Sequence, residues 1–243
     1  MGIVKKQGFQ NTIIAFAGAV LGAVNTAFLF PKFLAPDEVG FTSALVSFAV
    51  VFSQLSALGM VNATIKFFPD FKDQARNHRG FFFIMMLISC FGFLLITLIF
   101  FAFQGPLIDL LAKKSDLITA FFFLLLPLTF FTMFYDMISA FAQSIYITVF
   151  PWFMKNIGQR VLNTIVISFY AFDMLDFSGF VIAFVIANSL HGIILVTYLF
   201  RLESFSIKPV WSSFTIKNIR MFFNYGAFAY LGGLSDVIVK NID

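Results

Sequence analysis

The chain has 243 residues, of which 60% are hydrophobic, 12% are charged and 39 are phenylalanine. A soluble domain of this length needs far more polar surface than this composition supplies. The single cysteine, Cys90, excludes an internal disulfide framework and a thiol-rich metal site. The net charge of +4 arises in short connections between apolar runs rather than in one basic stripe, so no nucleic-acid partner is expected.

Apolar runs long enough to cross a bilayer recur along the chain. A hydrocarbon core about 30 Å thick requires roughly 20 helical residues. Six runs reach this length, and a seventh begins near Phe222 and continues to Asp243. The six cover residues 8–30, 40–65, 81–103, 117–146, 151–172 and 179–200. We therefore predict an all-α polytopic transmembrane bundle in a single membrane domain, with a six-helix lobe over 8–200, an inner loop over 201–221 and a partial seventh helix.

The cations lie mostly on one side of these predicted spans. Lys and Arg are retained on the cytoplasmic side of a membrane. When alternate connections are assigned to opposite faces, only Lys32, Lys113 and Lys114 fall on the face away from the N-terminus. Twelve cations fall on the N-terminal face, which is therefore predicted to be cytoplasmic. They are Lys5, Lys6, Lys66, Lys72, Arg76, Arg79, Lys155, Arg160, Arg201, Lys208, Lys217 and Arg220.

The predicted helices differ in how they are expected to pack. The third, 81–103, has few polar breaks and is expected to face lipid almost all round. Gly18 and Gly22 in the first helix form a small-xxx-small pair that lets another backbone approach closely, and Gly226 belongs to a similar face in the seventh. Both helices are expected to be central. Pro127 is expected to kink the fourth helix.

Polar residues inside the predicted spans are the first candidates for function, because burying them in hydrocarbon costs free energy unless they meet a partner or a wet cavity. Asp136 and Asp236 rank highest as ion-coupling candidates, since a carboxylate within a span usually pairs or lines a pathway. For the amides Asn25, Gln54 and Asn188, a helix-to-helix hydrogen bond and a ligand contact are both open interpretations.

No motif in the chain indicates an enzyme. We find no phosphate-cradling glycine loop, no metal-ligand spacing of His and Cys, and no HExxH or GxSxG motif. His78 falls in a predicted loop and His191 in the sixth span, where it is interpreted as a packed neutral imidazole. We predict no catalytic residue, no metal and no cofactor. A transporter is favoured, and an intramembrane enzyme acting on lipid-linked sugars is the runner-up.

Three stretches carry a family resemblance. The first is KKQGFQNTIIAFAGAVLGAVNTAFLFPKFLAPDEVGFTSALVSF, in which a small-residue helix ends in an outer loop of the form FLxPxExG. The second is MVNATIKFFPDFKD, which contains a basic inner loop, and the third is AFAQSIYITVFPWFMKNIGQRVLNTI, in which a short turn leads to a proline and a fifth helix. The arrangement resembles the first half of the polysaccharide biosynthesis family, the oligosaccharide-lipid flippases of the multidrug/oligosaccharidyl-lipid/polysaccharide exporter superfamily.

This resemblance implies two six-helix lobes around a central cavity in the bacterial inner membrane. It implies that polyprenyl-pyrophosphate sugar units for surface polysaccharide, such as lipopolysaccharide, move to the outer leaflet by alternating access. The expected partners are lipid-linked oligosaccharide, membrane lipids and a missing C-terminal lobe of the same protein. Lipid II flippases of this superfamily carry arginines in their first two helices, whereas 8–30 and 40–65 contain no cation here. A cation-coupled multidrug exporter of the same superfamily stays an open alternative.

Basic side chains near the predicted inner ends of helices are candidate contacts for a pyrophosphate. Lys66, Lys155 and Arg160 are predicted to cap the inner ends of the second and fifth helices, where a partly desolvated cation attracts an anion strongly. Arg160 is preferred, because its planar fork can hold two phosphate oxygens. Together with the amides Asn25, Gln54 and Asn188, these three cations form the predicted substrate-binding set. In the alternative interpretation the cations only anchor helix ends in the headgroups.

Overall fold

The structure is a computed structural model that describes residues 2–73, 78–105, 116–202, 205, 207–210 and 215–241. Over these residues the chain forms helices and no β-strand, which confirms the predicted all-α class. The α-helices referred to below are α1 (Ile3–Ala23), α2 (Phe30–Phe33), α3 (Pro36–Ala57), α4 (Met60–Phe71), α5 (Phe81–Ala102), α6 (Asp116–Ala120), α7 (Leu125–Ser144), α8 (Val149–Phe153), α9 (Gln159–Ala171), α10 (Phe177–Arg201) and α11 (Ile216–Asn241).

Two π-helical segments connect α-helices without ending them. Val24–Leu29 joins α1 to α2, and Met154–Gly158 joins α8 to α9. Residues 3–33 and 149–171 therefore form two continuous helices, which we write α1–α2 and α8–α9. Segments of π-helix are rare and occur frequently at functional sites.

Five helical stretches of the described chain are long and apolar enough to cross a membrane. They match the first four and the sixth predicted runs, and they are Lys5–Phe33, Pro36–Ala57, His78–Ala102, Phe122–Ser144 and Phe177–Arg201. The fifth predicted run is helical as α8–α9, but it carries Lys155, Arg160 and several amides and is not among the five. The seventh helix begins at Ile216, so the predicted loop over 201–221 is too long.

The second predicted run, 40–65, is not one helix. α3 ends at Ala57, Leu58 and Gly59 take left-handed φ angles of 49° and 76°, and α4 begins at Met60. A left-handed residue cannot continue a right-handed helix, and Gly adopts this conformation without a side-chain clash. The break places Lys66 on α4 rather than at the end of the long helix α3.

The fourth predicted run, 117–146, is also divided, and the division lies before its proline. α6 ends at Ala120, and a 3₁₀ turn over Phe122–Leu124 leads into α7. Pro127 lies in the first turn of α7, where backbone N–H groups lack intrahelical partners in any case. The irregular backbone of this run thus lies just before Pro127, and α7 begins two residues before the proline.

The third predicted helix is more buried than expected. The first turns of α5 place Phe81, Phe82 and Met85 in the core at 2% exposure or less, against α4, α7 and α11. Farther along the helix, Leu94 and Leu98 are more than half exposed. Phe100, in the last turns, is again 3% exposed, so the expectation of lipid contact almost all round is wrong.

The small-residue faces are sites of close helix packing, as predicted. A Cβ atom built on Gly18 would lie 2.7 Å from the backbone oxygen of Asn156 in the facing helix α8–α9. On α11, a Cβ on Gly226 would lie 2.8 Å from the backbone oxygen of Leu58. α1 is not central within the described chain, however, because its opposite face leaves Phe9 and Phe16 about 70% exposed.

Candidate functional site

A cavity of about 950 Å³ lies between α1–α2, α3, α8–α9 and α10. Its described lining contains two cations, Lys155 and Arg160, and no carboxylate. We call it the amide cavity, because five side-chain amides line it together with three hydroxyls. These residues are Asn25, Asn156, Gln159, Asn163 and Asn188, and Thr26, Thr42 and Ser43. Such a surface suits a ligand that offers hydroxyl groups and negative charge.

The polar wall of the cavity follows from helical spacing in α8–α9. Asn156, Arg160 and Asn163 are separated by four and three residues, so they lie on one face of the helix. Asn25 faces them from the π-helical segment of α1–α2 and is 4% exposed. A buried amide in this position requires hydrogen-bond partners, and α8–α9 supplies them.

The sequence predicted that Arg160 caps the inner end of its helix, but the structure places it in the middle of α8–α9. Eleven residues separate it from Val149, the first residue of α8, which corresponds to about 16 Å along the helix axis. Its Nη1 atom donates a hydrogen bond to the Gly18 carbonyl of α1. A Cβ atom at Gly22 would overlap the guanidinium, so the small residue at this position makes room for Arg160.

A second set of bonds holds the Arg160 backbone against the first helix. Asn25 Nδ2 donates to the Arg160 carbonyl at 2.9 Å, and Thr164 Oγ1 donates to Asn25 Oδ1 at 2.8 Å. The bond from Arg160 to Gly18 uses one of the five N–H donors of a guanidinium. Arg160 can therefore link two helices and still present donors to a ligand in the cavity.

A chain of hydrogen-bonded amides in the cavity lining joins α9 to α10. Gln159 Nε2 donates to Asn188 Oδ1 at 2.5 Å, and Asn188 Nδ2 donates to Asn163 Oδ1 at 3.0 Å. Asn188 also donates to the Phe184 carbonyl at 2.7 Å within α10. The interpretation of Asn188 as a helix-to-helix contact is thus confirmed, and its place in the lining also makes it available to a ligand.

Asp136 forms an ion pair with a cavity residue. Its Oδ1 atom lies 3.2 Å from Lys155 Nζ, and the two side chains are 15% and 53% exposed. Lys155 also lies over the ring of Tyr135, 5.7 Å from its centroid. The Tyr135 hydroxyl donates to the Pro151 carbonyl at 2.6 Å, and the Tyr135 ring packs 4.3 Å from the ring of buried His191. The ion pair thus links α7 to the π-helical part of α8–α9.

A second cavity, of about 590 Å³, adjoins the first along the same pair of helices. We call it the Asn11 pocket. It lies between α1, the last turns of α7 and α8, and it shares Ala19 and Trp152 with the amide cavity. Trp152 Nε1 donates to the Asn11 carbonyl at 3.1 Å, and Asn11 Nδ2 donates to Thr148 Oγ1 at 3.2 Å. The Asn11 Oδ1 atom is buried without a hydrogen-bond partner.

Four of the predicted site residues meet in the amide cavity, namely Asn25, Lys155, Arg160 and Asn188. Lys66 and Gln54 line neither of the two cavities. The Asp236 side chain lies outside the described part of the structure. The cavity also contains polar residues absent from the predicted set. The spacing of polar side chains along α8–α9 could have identified Asn156, Gln159 and Asn163, but not Thr26 on α1–α2 or Thr42 and Ser43 on α3.

The fold and the two cavities define a helical membrane protein with a polar interior surface. Neither a protein-family model, nor a curated protein, nor a solved structure matches the chain.

Proposed function

We propose that this chain acts in a transporter that moves lipid-linked oligosaccharide across the bacterial inner membrane by alternating access. The observation that carries the proposal is the pair of adjoining cavities beside α1–α2 and α8–α9, which share Ala19 and Trp152. Together their linings extend from Asn11, in the first half of α1, to Thr42, near the start of α3. A polar surface of this extent within a membrane bundle is costly unless it meets a polar ligand or water.

The chemistry of the lining fits the two polar parts of such a substrate. Amides both donate and accept hydrogen bonds, as sugar hydroxyls do, and five of them line the larger cavity. Lys155 and Arg160 supply positive charge for a pyrophosphate in a partly desolvated site. The exposed apolar face of α1, with Phe16 at 72% and Val20 at 64% exposure, includes one lining residue of the Asn11 pocket, Phe16, and suits a polyprenyl chain.

The ion pair provides a candidate coupling element for transport. Asp136 neutralises Lys155 in this structure, so a proton or cation that occupied the carboxylate would release the lysine toward the cavity. Transport of an anionic substrate would then be linked to the charge state of Asp136. The cytoplasmic position of the N-terminus belongs to the same proposal and rests on the distribution of cations.

The alternatives fit the described site less well. An exporter of cationic drugs would place a ligand of the same sign beside Lys155 and Arg160, in a lining whose described part contains no carboxylate. An intramembrane enzyme would require acid and base groups that converge on a ligand. The carboxylate of Asp136, which lies beside the cavity residue Lys155, is already paired with that lysine.

Trp152 gives a direct test of substrate binding, because it lines both cavities. The full chain, carrying Trp211→Phe so that Trp152 is the sole tryptophan, would be reconstituted into lipid nanodiscs. Its fluorescence would be titrated with polyprenyl-pyrophosphate N-acetylglucosamine and, separately, with neutral polyprenol. We expect the pyrophosphate compound to change the emission at concentrations at least ten-fold lower than polyprenol does. Equal responses to both compounds would overturn the proposal.

Arg160→Lys tests whether the guanidinium recognises the pyrophosphate. The substitution keeps the charge and removes the bidentate fork, so we expect about ten-fold weaker binding, equivalent to about 1.4 kcal/mol. Lys72→Arg, an exposed substitution outside both cavities, is the matched control and should bind as the parent does. Unchanged binding by Arg160→Lys would leave Arg160 only as the link between α1 and α9.

A further inference from the structure

A second basic surface lies apart from the two cavities, where α4 packs beside α11. A groove of about 500 Å³ opens there and carries two cations, Lys66 on α4 and Arg220 on α11. Its other walls are largely apolar and aromatic, and they include Phe67, Tyr225 and Phe228. We call it the Lys66 groove. No carboxylate is among its described lining residues, and Asp70, the acid one turn along α4 from Lys66, is exposed.

Aromatic packing fixes the position of one cation at this groove. Lys66 Nζ lies 3.9 Å from the centroid of the Tyr225 ring, within the range of a cation–π interaction. Tyr225 in turn packs edge-on against Phe67, with 5.3 Å between the ring centroids. Phe67 is 9% exposed and belongs to the core, so the groove has a rigid base. The ammonium is thus held at a defined place on an otherwise open surface.

The apolar part of the groove faces away from the core. Phe228, about two helical turns from Arg220, is 79% exposed, and Met221, the residue after Arg220, is 36% exposed; both line the groove. α4 is amphipathic: it buries Phe68 and Phe71 and exposes Lys66 on the other side. α4 follows the helix break at Leu58 and Gly59, at the end of the long apolar helix α3. An amphipathic helix in this position suits the level of the lipid headgroups.

We propose that the Lys66 groove binds an anionic phospholipid of the surrounding bilayer. Its phosphate would lie between Lys66 and Arg220, and an acyl chain would cover Phe228 and Met221. Paired cations beside an exposed apolar wall match the two parts of such a lipid, whereas a free phosphate would use only the cations. The site is independent of the transport function proposed above, because it shares no lining residue with the amide cavity.

Native mass spectrometry of the full chain in detergent micelles can test this assignment. The protein would be mixed with equal amounts of dioleoylphosphatidylglycerol and dioleoylphosphatidylcholine, and the bound lipids counted. We expect the anionic lipid to be retained preferentially. We expect Lys66→Gln and Arg220→Gln each to lower its occupancy about five-fold, from about 1 kcal/mol per cation. Lys72→Gln, which removes a cation outside the groove, should leave the occupancy unchanged.

Two further measurements distinguish the source of the phosphate and guard against misfolding. sn-Glycerol 3-phosphate, at the same concentration as the lipids, should not displace the anionic lipid, because it lacks the acyl chain. Phe228→Glu adds a carboxylate at an exposed position and should abolish the lipid preference with an unchanged unfolding midpoint. Equal retention of the two lipids by the parent protein, or an unchanged preference in Lys66→Gln and Phe228→Glu, would overturn the proposal. Displacement by glycerol phosphate would show that the groove recognises phosphate rather than lipid.

Discussion

Gly18→Ala should weaken the contact between α1 and α8–α9 by an amount that the structure allows us to estimate. The added Cβ atom would lie 2.7 Å from the backbone oxygen and 2.8 Å from the Cβ of Asn156. Ordinary van der Waals contact begins at 3.4 Å, so the two helices would have to separate by about 0.7 Å (3.4 minus 2.7). Overpacking of this kind costs about 1–3 kcal/mol. Separation of the helices would also lengthen the bond from Arg160 to the Gly18 carbonyl.

Gly8→Ala provides the matched control on the same helix. No atom lies within 4 Å of a Cβ built at Gly8, so this substitution meets open space. Both variants gain the same helix propensity, up to about 1 kcal/mol, because both replace glycine by alanine within α1. The difference in unfolding free energy between the two variants therefore isolates the packing contribution at Gly18, which we expect to be about 1–3 kcal/mol.

Thermal unfolding of the two variants can be followed through the single cysteine, Cys90. Cys90 is partly buried in α5, so a thiol-reactive fluorescent dye reports its exposure as the detergent-solubilised protein is heated. We expect Gly18→Ala to unfold several degrees below Gly8→Ala, at about 2–4 °C per kcal/mol for a chain of this length. Equal midpoints for the two variants would refute the close approach of α1 and α8–α9 described here.

Two predictions concern charge and topology. Asp136→Asn should slow transport of a polyprenyl-pyrophosphate sugar in proteoliposomes by about ten-fold or more, equivalent to about 1.4 kcal/mol, whereas Asp136→Glu should stay within about two-fold. Both variants would change the carboxylate 3.2 Å from Lys155, and equal rates in the two would remove the coupling role. A cysteine placed at Lys72 in a Cys90→Ser background should resist an impermeant maleimide in intact cells. Strong labelling from outside would reverse the predicted orientation.

Features that depend on local sequence were predictable. The length of the sixth apolar run predicted a helix over 179–200, and the structure shows α10 over Phe177–Arg201. The spacing of Gly18 and Gly22 predicted a close helix contact, because a missing side chain permits close approach whatever the partner is. The partner itself, α8–α9, could not be predicted from spacing within one helix.

Features that depend on backbone conformation or on distant partners were not predictable. Residues 40–65 form a charge-free, mostly apolar run, and hydrophobicity does not report that Leu58 and Gly59 take left-handed φ angles. The amide cavity is lined by Thr42, Ser43 and Val46 from the start of α3, whereas Lys66 lies twenty residues farther along the chain, on α4, and so misses the cavity. The contact between Gln159 and Asn188 joins two residues that are 29 positions apart in sequence. Only the packing of α9 against α10 brings these amides together.

The Arg160 contact has a consequence for how the chain enters the membrane during synthesis. A lone arginine at the centre of a helix opposes insertion by about 2.5–3.5 kcal/mol. The groups that compensate Arg160 and Lys155, the Gly18 carbonyl and the Asp136 carboxylate, both precede α8–α9 in the chain. These acceptors are therefore already translated when α8–α9 leaves the ribosome. Insertion of α8–α9 would depend on α1 and α7 remaining near the translocon until it emerges.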